Sequence, residues 1–163
     1  MMSTLDWEFA WHGLGVVGLA GVLTGLVGLE REFARKPAGL RTHMLVGIAA
    51  AAFMLLGQNA VVQYAEQQAP SLLEADPVRV IQSIVLGISV LGAGTILHDG
   101  GKVEGLTTAA SVLLAAAIGI AVANDQPLFA AVLAVLVAAI LFLLGLLERW
   151  REGSRPSRPE DEP

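Results

Sequence analysis

Glu30-Arg31-Glu32-Phe33-Ala34-Arg35-Lys36-Pro37-Ala38-Gly39-Leu40-Arg41-Thr42-His43 is a short ionisable stretch set between two long apolar segments. Its flanks carry no Asp, Glu, Lys or Arg from Trp11 to Leu29 or from Met44 to Tyr64. Each flank is close to the roughly 20 apolar residues a bilayer core requires, so the stretch reads as a turn at one membrane face between two crossing helices. Composition agrees: of 163 residues, 55% are hydrophobic, only 15% are charged and 18 are glycine, which is too apolar and too glycine-rich for an ordinary soluble domain. The formal charge of −5 comes mainly from acids at the termini and in two loops, so it says little about partners. The lack of cysteine excludes disulfides, thiol catalysis and Cys-based metal sites.

Upstream of the turn, Met1 to Trp11 contains Asp6 and Glu8 but no basic residue, which is wrong for a cleaved secretory signal, and the segment is expected to be retained. Trp7 and Trp11 suit the headgroup layer. In the first span Gly18, Gly21, Gly25 and Gly28 recur at helical spacing on one face, where another helix can approach closely, and Glu32 continues that face. Packing within one subunit is the plainer reading of this stripe; a homo-oligomer contact is the sharper one.

Downstream, the second span ends in the amides Gln58, Asn59 and Gln63, which are expected to bond across helices. Asp76-Pro77 reads as an N-cap followed by proline at the first helical position. A third span is expected from about Val78 to Leu97, with Gln82, Ser83, Gly87, Ser89, Gly92, Gly94 and Thr95 as its small or polar members. The loop from His98-Asp99 to Gly105 turns the chain into a fourth span, Leu106 to Ala123, with a small-residue stripe through Thr108, Ser111 and Ala115. A fifth, Leu128 to Leu147, is the most uniformly apolar and is expected to face lipid most. The fold predicted is therefore all-α: a polytopic bundle of five transmembrane helices over residues 1–150, with 151–163 as a disordered cytoplasmic tail.

Nine of the ten basic residues fall in the first loop, the third loop and the tail, and only Arg79 lies on the other side. The positive-inside rule then places the amino terminus outside and the carboxyl terminus in the cytoplasm. Sliding Gly21–Ala51 by 66 residues onto Gly87–Ala117 makes ten of 31 positions identical, including Gly21 with Gly87, Gly28 with Gly94, Gly39 with Gly105 and Thr42 with Thr108. This suggests a parallel repeat of two hairpins. Shared composition of two apolar hairpins is the competing explanation.

The chemistry available is limited. Glu32 or Glu30 with Arg41 could form an ion pair at the membrane boundary, where an unpaired charge is expensive. His43, His98, Asp99 and Glu32 offer oxygen and nitrogen ligands, yet no HxxH or paired-carboxylate spacing supports a dedicated metal cage. Weak Mg²⁺ binding through water at Glu30, Glu32 or Asp99 is all the pattern allows, and no cofactor is expected. Gly100-Gly101-Lys102 lacks phosphate-loop spacing and reads as a turn. No nucleophile elbow or ordered triad argues for an enzyme, and the tail arginines lack the aromatic interleaving of a nucleic-acid binder.

Glu30-Arg31-Glu32, Lys36-Pro37-Ala38-Gly39-Leu40-Arg41-Thr42-His43, Leu91-Gly92-Ala93-Gly94-Thr95-Ile96 and Gly105-Leu106-Thr107-Thr108-Ala109-Ala110-Ser111, in that order, resemble the membrane domain of the MgtC/SapB family from Gly13 to about Leu147. The resemblance implies a bacterial inner-membrane protein linked to survival in low magnesium and, in pathogens, inside macrophages. Some members are described as inhibiting ATP synthase, and the resemblance lends little support to the older label of magnesium transporter. Many members carry a soluble carboxyl-terminal domain, whose role is here expected to be absent or supplied by another protein.

Two function classes follow: a regulator acting through helix and loop contacts with another membrane protein, and a transporter or channel for Mg²⁺ or another small solute. The lack of any Asp or Glu within the five spans favours the regulator, because a divalent-cation path is expected to hold intramembrane acids. Partners expected are membrane lipids and a second membrane protein, with a homo-oligomer as a further option and no nucleic acid. Candidate residues are Glu30, Arg31, Glu32, Lys36, Arg41, Thr42, His43, His98, Asp99, Thr107 and Thr108 in the loops, Gln58, Asn59, Gln82, Ser83 and Ser111 within the spans, and Gly18, Gly21, Gly25, Gly28, Gly92 and Gly94 for helix packing.

Overall fold

The computed structural model describes residues 4–67, 77–99 and 102–153. They form five helices, α1 (Thr4–Phe33), α2 (Leu40–Gln67), α3 (Pro77–Ala93), α4 (Leu106–Ala123) and α5 (Pro127–Gly153). Strands β1 (Leu97–Asp99) and β2 (Lys102–Glu104) join α3 to α4 as an antiparallel hairpin, with Leu97 opposite Glu104 and Asp99 opposite Lys102. The predicted helical bundle is thus present, and the loop expected between α3 and α4 is instead a short β-ribbon.

Four helices are long and apolar enough to cross a membrane, over Trp7–Phe33, Leu40–Gln63, Leu106–Ala123 and Pro127–Leu147. The third differs from expectation: α3 has 17 residues, so it covers about 26 Å, short of the roughly 30 Å hydrocarbon layer. It stops at Ala93 rather than Leu97 because the chain turns at Gly94 and Thr95, whose hydroxyl donates to the Gly92 carbonyl at 2.7 Å. Its start at Pro77 is as predicted, although Asp76 lies outside the described residues. At the other end of the chain α5 continues to Gly153, three residues into the expected tail, the rest of which lies outside the described residues.

Two helix ends share one termination device. Arg35, at φ 53°, and Asp125, at φ 56°, are non-glycine residues in the left-handed region. Lys36 N–H reaches the Arg31 carbonyl and Gln126 N–H the Ala121 carbonyl, both at 3.0 Å, which are the long bonds of Schellman caps. Proline follows at 37 and 127, where the helix could not continue. At the start of α4, Gly105 has φ 88°, and a β-carbon there would collide with the Thr95 carbonyl, so this corner accepts only glycine.

α4 packs against all four other helices and is the most buried, α2 lies against α1, α3 and α4, and α5 stands outside against α1 and α4. Along α1, glycines 21, 25 and 28 receive Ile48, Met44 and Leu40 of α2, and a β-carbon on Gly28 would lie 2.8 Å from the Leu40 Cα. The stripe therefore packs inside the chain, with one correction: Gly18 is exposed and has nothing within 4 Å. At the centre, a β-carbon on Gly119 of α4 would strike the Gly47 carbonyl of α2, and one on Gly47 would strike Thr24 of α1. α2 and α4 thus meet nearly backbone to backbone, and the Thr24 side chain of α1 fills the space beside Gly47. Small side chains permit that approach, and dispersion between close backbones replaces the hydrophobic drive that lipid removes. Outside, α5 exposes Leu128, Phe129, Val132, Val135, Leu136, Ile140, Phe142 and Leu143, a surface suited to acyl chains rather than water. It is the least buried of the four long helices, although the shorter α3 buries only Ile84 and Gly92. Trp7 and Trp11 stand exposed, edge to face at 5.7 Å, near the start of α1.

A buried polar cluster at one end of the bundle

The site forms where the end of α1 meets the starts of α2 and α4. Gly39, immediately before α2, presents a carbonyl that accepts the His43 backbone N–H at 3.2 Å and faces His43 Nδ1 at 2.9 Å. Glu32 caps the same helix end: its Oε2 accepts the Leu40 N–H at 3.0 Å. A carboxylate there satisfies an orphan donor and meets the positive end of the helix dipole. Gly39 must lack a side chain because that carboxylate occupies the space a β-carbon would take.

His43 is fully buried. Gly28 of α1 packs against its β-carbon, and on the far side its Nε2 lies 3.0 Å from Ser111 Oγ of α4. Ser111 Oγ also lies 2.8 Å from the Thr108 carbonyl one turn back. Ser111 and Thr108 are both buried. The donors can be counted. A carbonyl only accepts, so Nδ1 facing Gly39 carries a hydrogen. The single hydroxyl hydrogen of Ser111 can then go to Nε2 of a neutral ring or to the Thr108 carbonyl, but not to both. All three contacts are satisfied together only when Nε2 also carries a hydrogen and donates to Ser111.

Beside it, Arg31 is 3% exposed and pairs with Glu30, close enough to His43 for both charges to act on the ring. This corrects the expected ion pair: among the described residues Arg41 is joined to neither Glu30 nor Glu32, because Glu30 is held by Arg31 and Glu32 is turned onto the α2 amide. Arg41 stands exposed.

The remaining candidates are dispersed. Lys36 and Thr107 are exposed and Thr42 is half-buried. His98 and Asp99 lie in β1. Gln58 crosses from α2 to α4, its Nε2 donating to Asn124 Oδ1 at 2.9 Å at the opposite end of the bundle. Among the described residues Asn59 bonds Gln63 on its own helix, so the expected cross-helix amide link is seen there for Gln58 and not for these two. Gln82 and Ser83 are exposed on α3, where the Ser83 hydroxyl returns to the Arg79 carbonyl at 2.9 Å. Gly92 packs on Ala109 of α4, whereas Gly94 is exposed and touches only the end of its own helix. Among the described residues no group of three His, Asp or Glu side chains comes together to hold a metal.

Sequence reasoning missed Thr24, Gly47, Gly119 and Asn124. Thr24 is fully buried, with its hydroxyl returned to the Ala20 carbonyl at 2.8 Å. The only sequence signal for the other contacts was the presence of lone small or amide residues in apolar helices.

The fold and this cluster define a polytopic helical membrane protein whose buried polar side chains are, apart from Thr24, gathered toward the ends of the bundle. The chain belongs to the MgtC family, whose model matches residues 17–150. It is 37% identical over 140 residues to "Protein MgtC" of Brucella abortus, an alignment covering 85% of this chain and 53% of that protein. It is 40% identical over 103 residues to "Protein MgtC" of Salmonella typhimurium, covering 63% and 39% respectively. A third relative, 36% identical over 108 residues, is the Escherichia coli protein named "Putative magnesium transporter YhiD", with 66% of this chain and 49% of that protein covered. The chain thus spans about half the length of the curated relatives it matches. None of these three names denotes an enzyme. No solved structure matches the chain.

Proposed function

We propose that this chain is a regulator in the bacterial inner membrane, linked to magnesium limitation and virulence, that acts through helix and loop contacts with another membrane protein. The observation that carries the proposal is the closed centre of the bundle. Where α1, α2 and α4 meet, the Thr24, Gly47 and Gly119 contacts leave no room for a side chain, still less for a hydrated ion. A divalent cation crossing there would need oxygen ligands to replace its water. Glu30 and Glu32 sit at the end of α1 and are each held by another group, and Asp125 lies beyond the end of α4. The basic residues cluster around the α1–α2 turn, the β-hairpin and the end of α5, which supports an outside amino terminus and a cytoplasmic carboxyl terminus.

A second reading, a transporter for Mg²⁺ or another small solute, is favoured by the name of the Escherichia coli relative. Purified protein in liposomes separates the two. The regulator should show no Mg²⁺ flux above empty vesicles, and loss of function in cells should follow changes at Glu30, Arg41, His43, His98 or Asp99. Saturable Mg²⁺ uptake that disappears on substitution of Asn59 or Gln82 would replace the regulator with the transporter.

A further inference from the structure

α3 leans away from α2. At one end the two touch, with a β-carbon on Gly57 placed 2.5 Å from Val80 Cγ1. At the other end α3 rests on α4 instead, through Gly92 and Ala109. The result is a wedge of about 650 Å³, walled by Leu45 and Phe53 of α2 and by Ile84, Gly87 and Leu91 of α3, closed at Val80 and open along its side. The wedge is apolar throughout apart from Ser83, whose hydroxyl is already bonded to its own helix.

Its open end carries a charge. Arg41 lies one turn before Leu45 on the same face of α2, is exposed, and has no ion-pair partner among the described residues. Side chains on a helix tilt toward its amino terminus, so the guanidinium is directed out of the wedge toward the headgroup layer. An apolar slot with a cation at its interfacial mouth matches one class of molecule abundant in a bilayer. We propose that the α2–α3 wedge binds an anionic phospholipid, with one acyl chain between Leu45 and Val80 and the headgroup phosphate on Arg41. The planar fork of arginine suits bidentate phosphate contact, and the surrounding bilayer supplies the ligand at high local concentration.

Native mass spectrometry of the detergent-solubilised chain, titrated with phosphatidylglycerol or phosphatidylcholine, tests this. The unmodified chain should retain phosphatidylglycerol about fivefold better, the discrimination one surface arginine supplies. Arg41→Gln should remove the preference, while Arg79→Gln, at the closed end of the wedge, should keep it. Gly87→Leu fills the slot from a position where an added β-carbon meets nothing within 4 Å, so the fold should melt unchanged in lipid-free detergent while retention of both lipids falls. A preference that survives both Arg41→Gln and Gly87→Leu would overturn the proposal. So would a Gly87→Leu variant that loses a dimer rather than a lipid adduct, which would put a second copy of the chain against this face.

Discussion

The α1–α2 and α3–α4 hairpins carry glycines at matching offsets, and the two hairpins use them differently. Gly21 is buried against Ile48, whereas Gly87, its counterpart 66 residues on, has open space around it. Gly28 lies against the Leu40 backbone, whereas Gly94 is exposed beyond the end of α3. The difference follows from what each first helix leans on. α1 lies along α2 over several turns, while α3 touches α2 at one end and α4 at the other, so Gly87 between them is left facing the wedge. A helical glycine is thus a contact only where a partner backbone arrives, and an equal spacing of glycines does not imply an equal use.

The largest effects that test this contrast should come from substitution by leucine. Gly28→Leu forces a side chain into the Leu40 backbone and should cost about 3 kcal/mol, at the top of the usual range for overpacking. Gly21→Leu meets only the flexible end of Ile48 and should cost closer to about 1 kcal/mol. Gly87→Leu should cost nothing measurable. Reversible unfolding in mixed detergent reads all three, and a loss at Gly87 equal to that at Gly21 would erase the contrast between the hairpins.

Next in size is the coupling between α2 and α4. His43→Leu removes the ring's bonds to the Gly39 carbonyl and to Ser111, while the Gly39 carbonyl keeps the backbone N–H of residue 43 and Ser111 keeps the Thr108 carbonyl, so the loss should be about 1 kcal/mol, that of a net hydrogen bond. A double-mutant cycle of His43→Leu with Ser111→Ala should show about 1 kcal/mol of coupling. The same cycle on Glu32→Gln and Arg41→Gln should be additive, since Glu32 acts on the Leu40 amide and Arg41 stands apart. Coupling of similar size in both pairs would mean that Arg41 reaches Glu32 after all.

The smallest effect concerns the caps. Arg35 holds a left-handed conformation that glycine adopts freely, so Arg35→Gly relieves local strain while loosening the unfolded chain. The net gain should be about 0.5 kcal/mol, and a measured loss would show that the Arg35 side chain contributes contacts of its own.

The sequence by itself determined the membrane class, the helical bundle, the boundaries near Pro77 and Leu106, and the lipid-suited surface of α5, because each rests on local composition and chain chemistry. It also brought Glu30, Arg31, Glu32, His43, Thr108 and Ser111 into view as candidates, since polar residues stand out against an apolar background. It could not say which of them meet. His43 and Ser111 are 68 residues apart and join only because Gly47 and Gly119 let α2 and α4 come close enough. Opposite charges suggested Glu32 with Arg41, yet adjacent residues on one helix can point apart, and the free amide of Leu40 was the nearer partner for Glu32. The end of α3 at Ala93 and the wedge beside it were likewise decided by tertiary structure. They depend on which neighbour a helix leans on, and that is set by shape complementarity between distant segments rather than by any local pattern.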